Sequence, residues 1–163
     1  MSLNRPTALP APGRRVVTGL NAAGQSIIAS DASVPESARQ VDPETGAGGG
    51  DVWLTSVPVD LADDRDPLDN YEVKHWPAPG EVMARMVTWL PGFEFPLHRS
   101  DTLDIFFVIA GEMELVLEAG STILRTGDTA VQRGTMHGWR VVGDRPCTLA
   151  GVLIDAAPAS SSA

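Results

Sequence analysis

Three side chains in this 163-residue chain carry an imidazole: His75, His98 and His137. An imidazole can accept, donate or ligate near neutral pH, so these are the first residues to examine for chemistry. Two of them sit beside glycine turns in the strand-rich half of the chain. One lies in Gly92-Phe93-Glu94-Phe95-Pro96-Leu97-His98-Arg99-Ser100-Asp101-Thr102-Leu103-Asp104. The other lies in Gly127-Asp128-Thr129-Ala130-Val131-Gln132-Arg133-Gly134-Thr135-Met136-His137-Gly138-Trp139. His75, in Lys74-His75-Trp76-Pro77, has no partner at ligand spacing and reads as a loop residue. Cys147 is the only cysteine, which excludes an internal disulfide and a Cys-rich zinc site. At the start of an apolar run it reads as a small apolar filler. The acidic run Asp60, Asp63, Asp64, Asp66 and Asp69 lacks the loop glycine and terminal glutamate of a calcium-binding EF-hand, and reads as a solvated face.

The elements that must position these residues are short. The 16 glycines and 13 prolines sit between brief apolar runs, and no stretch keeps a helical period over three turns. Short strands with regular turn signals indicate an all-β domain. The spacing predicts strands at 16–18 and 26–29, which read as a hairpin, then at 52–57, 82–90, 103–110, 113–118, 122–125, 130–132, 137–142 and 147–154. Residues 1–15 read as a flexible, Pro-rich arm, and 16–79 as N-terminal strands with a mobile loop at 31–51, ending in Gly48-Gly49-Gly50. The barrel is expected over 80–155, with a disordered tail at 156–163. The seven strands from 82 onward, with 52–57 as an eighth, read as antiparallel in one domain and leave a sandwich, a barrel or a jelly roll.

The two histidine segments resemble the motifs of the cupin superfamily. Its first motif runs Gly, five residues, His, one residue, His, three or four residues, Glu, six residues, Gly. Gly92, His98, Ser100, Asp104 and Gly111 fall on those positions. Its second motif runs Gly, five residues, Pro-x-Gly, two residues, His. Gly127, Gly134 and His137 match, one residue short, with Gln132-Arg133-Gly134 in place of Pro-x-Gly. The resemblance implies a single-domain cupin double-stranded β-helix, a jelly-roll barrel with an N-terminal strand extension, and a homodimer.

In that superfamily the motif residues hold a divalent metal. Carried over, the ligands here are His98, Asp104 and His137, with Ser100 where a second histidine belongs. Two imidazoles and one carboxylate suit non-haem iron, and zinc is equally allowed, with manganese and nickel also open. The other reading keeps the barrel without the metal, His98 and His137 then being hydrogen-bonded pocket residues and Asp104 pairing with Arg99 or Arg125. His98, Ser100, Thr102, Asp104, Phe106 and Val108 share parity, so an extended chain aims them to one face. Trp139 shares parity with His137 and is expected to wall a pocket that Phe106 and Val108 line. Arg85 shares parity with Met83, Val87 and Trp89; it either fixes a substrate carboxylate or is solvated.

With 12 basic against 21 acidic residues the net charge is −9, which disfavours nucleic acid and anionic membranes as partners. No apolar run reaches the ~20 residues of a membrane span, and no secretory signal is seen, so a cytoplasmic protein is expected. The expected function is that of a small-molecule-binding cupin, a divalent-metal-dependent enzyme acting on an apolar or aromatic substrate. Dioxygenase, decarboxylase, isomerase and cyclase chemistry all remain open, and no catalytic residue is assigned. The alternative is a non-catalytic ligand-binding barrel without metal.

Overall fold

A computed structural model describes residues 13–42 and 47–157, and twelve strands account for most of them. Their order is β1 Arg14–Leu20, β2 Ser26–Ser33, β3 Arg39–Val41, β4 Ala47–Ser56, β5 Glu81–Trp89, β6 Glu94–His98, β7 Thr102–Ala110, β8 Glu112–Leu117, β9 Gly120–Arg125, β10 Thr129–Arg133, β11 His137–Val141 and β12 Cys147–Asp155. One short 3-10 turn, Glu36–Ala38, precedes β3. The strands form a six-stranded sheet ordered β10-β7-β12-β5-β4-β3, a four-stranded sheet ordered β6-β11-β8-β9, and the separate hairpin β1-β2. Every pairing is antiparallel. From β5 to β12 the chain passes back and forth between the two larger sheets, with only the hairpin β8-β9 staying in one, which is the double-stranded β-helix of a jelly roll, preceded by an extension of strands. No helix among the described residues is long and apolar enough to cross a membrane.

Side-chain alternation builds the core. Along β7, Thr102, Asp104, Phe106 and Val108 are all buried, and along β12 Cys147, Leu149, Gly151 and Leu153 are. Met83, Met113 and Trp139 fill the space between the sheets. Gly151 stands opposite Phe106 in the register, and a β-carbon there would lie 2.4 Å from the Phe106 ring. The missing side chain is therefore what lets the ring lie flat against β12.

Two strands depart from the sequence expectation. Residues 31–51 are not one loop. They contain the end of β2, the turn at 36–38, β3 and the start of β4; positions 43–46 lie outside the described residues. Gly48, Gly49 and Gly50 are buried on β4 beside β5. A β-carbon on Gly49 would sit 2.2 Å from the Met86 carbonyl oxygen, so the glycine run serves close backbone approach, not slack. The second departure is β6, where Pro96 argues against a strand. It is tolerated because β6 is an edge strand, hydrogen-bonded only to β11. The expected arm at 1–15 lies mostly outside the described residues, as does the tail from 158 onward, while Arg14 and Arg15 already belong to β1.

Candidate functional site

The two motif histidines meet. His137 on β11 is the direct cross-strand partner of His98 on β6, and the ring centroids are 4.2 Å apart at 60°. Each ring is oriented by its own backbone. The Nδ1–H of His98 donates to the Pro96 carbonyl at 3.0 Å, and that of His137 donates to the Thr135 carbonyl at 2.8 Å. That assignment of the proton leaves Nε2 of each ring as a hydrogen-bond acceptor. His137 is fully buried, and burial followed by the neighbouring His98 lowers its pKa, which keeps it neutral. His98 is half-buried, with the Phe95 ring edge-on at 4.6 Å and the Trp76 ring at 5.8 Å.

Asp104 does not join them. Among the described residues no three His, Cys, Asp or Glu side chains come together in a way that holds an ion. The structure pairs two members of the expected metal set His98, Asp104 and His137, the two imidazoles, and no three-residue cluster forms among the described residues. Asp104 comes from β7 of the six-stranded sheet, opposite Gln132 on β10, whereas both histidines come from the four-stranded sheet. Its side chain is one methylene shorter than the superfamily's glutamate, and its hydrogen-bonding neighbours are the Thr102 and Ser100 hydroxyls. It pairs with neither Arg99, which donates to the Gly134 carbonyl, nor Arg125, which faces Glu112. Burial is the largest influence on Asp104 and raises its pKa; the hydroxyls, Arg85 and His98 act in the opposite sense. Its Oδ1 is buried without a partner, as are both amide atoms of Gln132. Ser100 is buried and accepts the Thr102 hydroxyl at 2.8 Å, so its role here is to extend this polar cluster.

One cavity reaches the imidazole pair through Phe95, which borders it and meets the His98 ring; neither His98 nor His137 lines it. It has a volume of about 200 Å³ and is walled on its apolar side by Val73, Val87, Trp89, Phe93 and Phe95. Gly48, Gly49 and Gly50 floor it, and Gln40, Asp42, Asp51, His75 and Arg85 form its polar end. Trp89 stacks on Phe93 at 4.6 Å, and Phe95 links the wall to His98. The predicted lining residues Phe106, Val108 and Trp139 do not border this cavity. They are buried in the core, with Trp139 edge-on to Phe106 at 5.5 Å. Trp139 supports the wall from behind, its ring 6.3 Å from Trp89.

Arg85 does border the cavity, and it is neither solvated nor free. Its Nε donates to Asp51 at 2.9 Å, and its two Nη groups donate to the Lys74 and His75 carbonyls at 2.7 and 3.1 Å. Asp51 also accepts the Tyr71 hydroxyl at 2.8 Å, and burial followed by that bond pushes Tyr71 up to about 12. This network ties the segment 71–75 onto β4 and β5 at the cavity mouth. Cys147 is fully buried, its thiol pushed up to about 11 by burial, so it remains a packed apolar group. Sequence parity already carried Val87 and Trp89 with Arg85. Phe93, Phe95, Asp51 and His75 were missed; the alternation Phe93-x-Phe95 before His98 was the signal, obscured by Gly92 and Pro96.

Comparison with known proteins adds a family. The family model described as "Cupin domain" matches residues 85–154. The "Phomopsin biosynthesis cluster protein C'" of Diaporthe leptostromiformis is 36% identical over 136 residues, spanning 77% of this chain and 69% of that protein. The "Cupin-domain-containing oxidoreductase srdD" of Neurospora crassa is 33% identical over 161 residues, spanning 91% of this chain and 80% of that one. The "Cupin-domain-containing oxidoreductase virC" of Hypocrea virens is 33% identical over 165 residues, spanning 93% and 82%.

Proposed function

Since the chain belongs to the cupin family, we propose that it is an enzyme of small-molecule biosynthesis, acting on a small apolar or aromatic substrate held in the cavity beside His98. The observation that carries this is the wall of Val87, Trp89, Phe93 and Phe95 ending at the imidazole pair. Such a wall supplies area and ring stacking but few hydrogen bonds, which suits a planar apolar body better than a sugar or a nucleotide. The volume is below the ~300–1,000 Å³ of drug-sized sites, so the ligand is small. Relatives named as oxidoreductases and as members of biosynthesis clusters support the enzymatic reading.

The residues act as follows in this proposal. The aromatic wall binds and orients the substrate and excludes water from it. Both Nδ1–H groups are held by carbonyls, which leaves the Nε2 of the half-buried His98, behind Phe95, as the acceptor for a substrate donor. Two imidazoles are gathered, Asp104 Oδ1 is buried without a partner, and no three-residue cluster forms among the described residues. The failure of Asp104 to join the histidines favours a second reading, a barrel that binds its ligand without transforming it. The homodimer implied by the resemblance belongs to the same proposal and is checked by solution mass.

The experiment is calorimetric titration of the wild type and of Phe95→Ala with cinnamamide, a hexose phosphate and a nucleotide. The proposal expects saturable binding of cinnamamide alone, weakened in the variant. Preferential binding of the sugar phosphate or the nucleotide contradicts it.

A further inference from the structure

The ion pair at the polar end of the cavity says what charge the ligand carries. Asp51 is 1% exposed and faces Arg85, with a second guanidinium nitrogen 2.8 Å from its Oδ1. The Arg85 Nη groups also donate to the Lys74 and His75 carbonyls and approach the Met83 sulfur, and the other Asp51 oxygen accepts from Tyr71. A guanidinium binds a carboxylate best through a two-nitrogen edge, and Asp51 already holds that edge here. Among the described residues that line the cavity, Arg85 is the only arginine or lysine, while Asp42 and Asp51 are both acidic. An entering anion therefore meets a cation that Asp51 already compensates. Displacing Asp51 would strand a buried charge, which is far costlier than leaving the pair intact.

We infer that the cavity selects its ligand by charge. It accepts neutral molecules whose polar end is an uncharged hydrogen-bonding group, such as a hydroxyl, carbonyl or amide, and rejects carboxylates and phosphates. Asp51 is the specificity-determining residue, because it withdraws Arg85 from the ligand. This rests on the reading of the cavity as the ligand site given above.

The test compares two probes of the same shape, cinnamamide and cinnamate, by calorimetry at about pH 8, where the acid is fully ionised. The expected result is that the wild type binds cinnamamide at least about tenfold more tightly than cinnamate. In Asp51→Asn, which frees the Arg85 charge, cinnamate is expected to gain about tenfold relative to cinnamamide. Wild-type binding of cinnamate as tightly as of cinnamamide overturns the inference and leaves the cavity reading standing. A folded Asp51→Asn that gains nothing for cinnamate overturns the role of Asp51. Failure of both probes to bind overturns the cavity reading and the inference with it. Should Asp51→Asn not fold, the wild-type comparison decides alone.

Discussion

His98 and His137 lie directly across from each other on β6 and β11, each with its Nδ1 proton held by a carbonyl two residues earlier in its own chain segment. The register of one antiparallel pair thus brings together two residues nearly forty positions apart. It fixes their tautomers as well as their distance. The same contact disfavours a charge on the buried member of the pair.

That last point has a measurable consequence for stability. The His137 pKa is lowered in the folded protein, by burial first and by His98 after it. Protonation is then easier in the unfolded chain, so His137 contributes stability that is present above the ordinary histidine value of about 6.5 and is lost as pH falls through its lower folded value. His137→Gln, which cannot protonate, should show a shallower loss of melting temperature between pH 6.5 and the onset of carboxylate titration. The difference between wild type and variant, scanned against pH, is the measurement; parallel curves would contradict it.

Asp104 behaves in the opposite sense. Its pKa is raised, chiefly by burial, so the folded state resists its ionisation. Stability from this group is fully present below the unfolded carboxylate value of about 3.9 and is lost as pH rises through the folded value. Asp104→Asn keeps the shape and removes the charge. It should raise the melting temperature at neutral pH and have little effect in strong acid. A variant less stable than wild type at neutral pH would mean that the carboxylate is held by a partner outside this account.

The two tryptophans behind and in front of the cavity wall should separate stability from binding. Trp139 is buried in the core, so Trp139→Ala should cost about 3–5 kcal/mol in denaturant unfolding. Trp89 borders the cavity, so Trp89→Leu should weaken cinnamamide binding by about 0.5–1.5 kcal/mol beyond the lost area, if the ligand stacks there. A large affinity loss in a folded Trp139 variant with none at Trp89 would move the ligand to the other side of the wall.

The barrel was legible because its strands in the second half are short, alternating and bounded by glycine turns. The pairing of His98 with His137 was legible from motif spacing. The place of Asp104 was not. Parity along β7 correctly aims it inward, but parity says nothing about how near an inward side chain comes to those of the facing sheet. The cavity walled by Trp89, Phe93 and Phe95 was not legible for a related reason. Trp139, Phe106 and Val108 do face inward, yet a position facing inward is either wall or core, and only packing distinguishes them. Gly48-Gly49-Gly50 misled through composition, since a glycine run serves close strand approach as readily as it serves a loop.

The glycine run supplies a steric test. A β-carbon at Gly49 collides with the Met86 carbonyl, a backbone atom that cannot swing aside. Gly49→Ala should therefore destabilise the protein by about 1–3 kcal/mol and reduce cinnamamide affinity together, because β4 must move away from β5 at the cavity floor. Unchanged denaturant midpoints would show that this strand pairing is looser than described.

The most direct measurement is a crystal structure of the protein with cinnamamide bound. The ring should lie against Trp89, Phe93 and Phe95, with the amide toward Asp51 and Arg85 and the Arg85–Asp51 pair intact. A ligand lodged elsewhere, or seated only after Arg85 has left Asp51, would contradict the assignment of this cavity as the site.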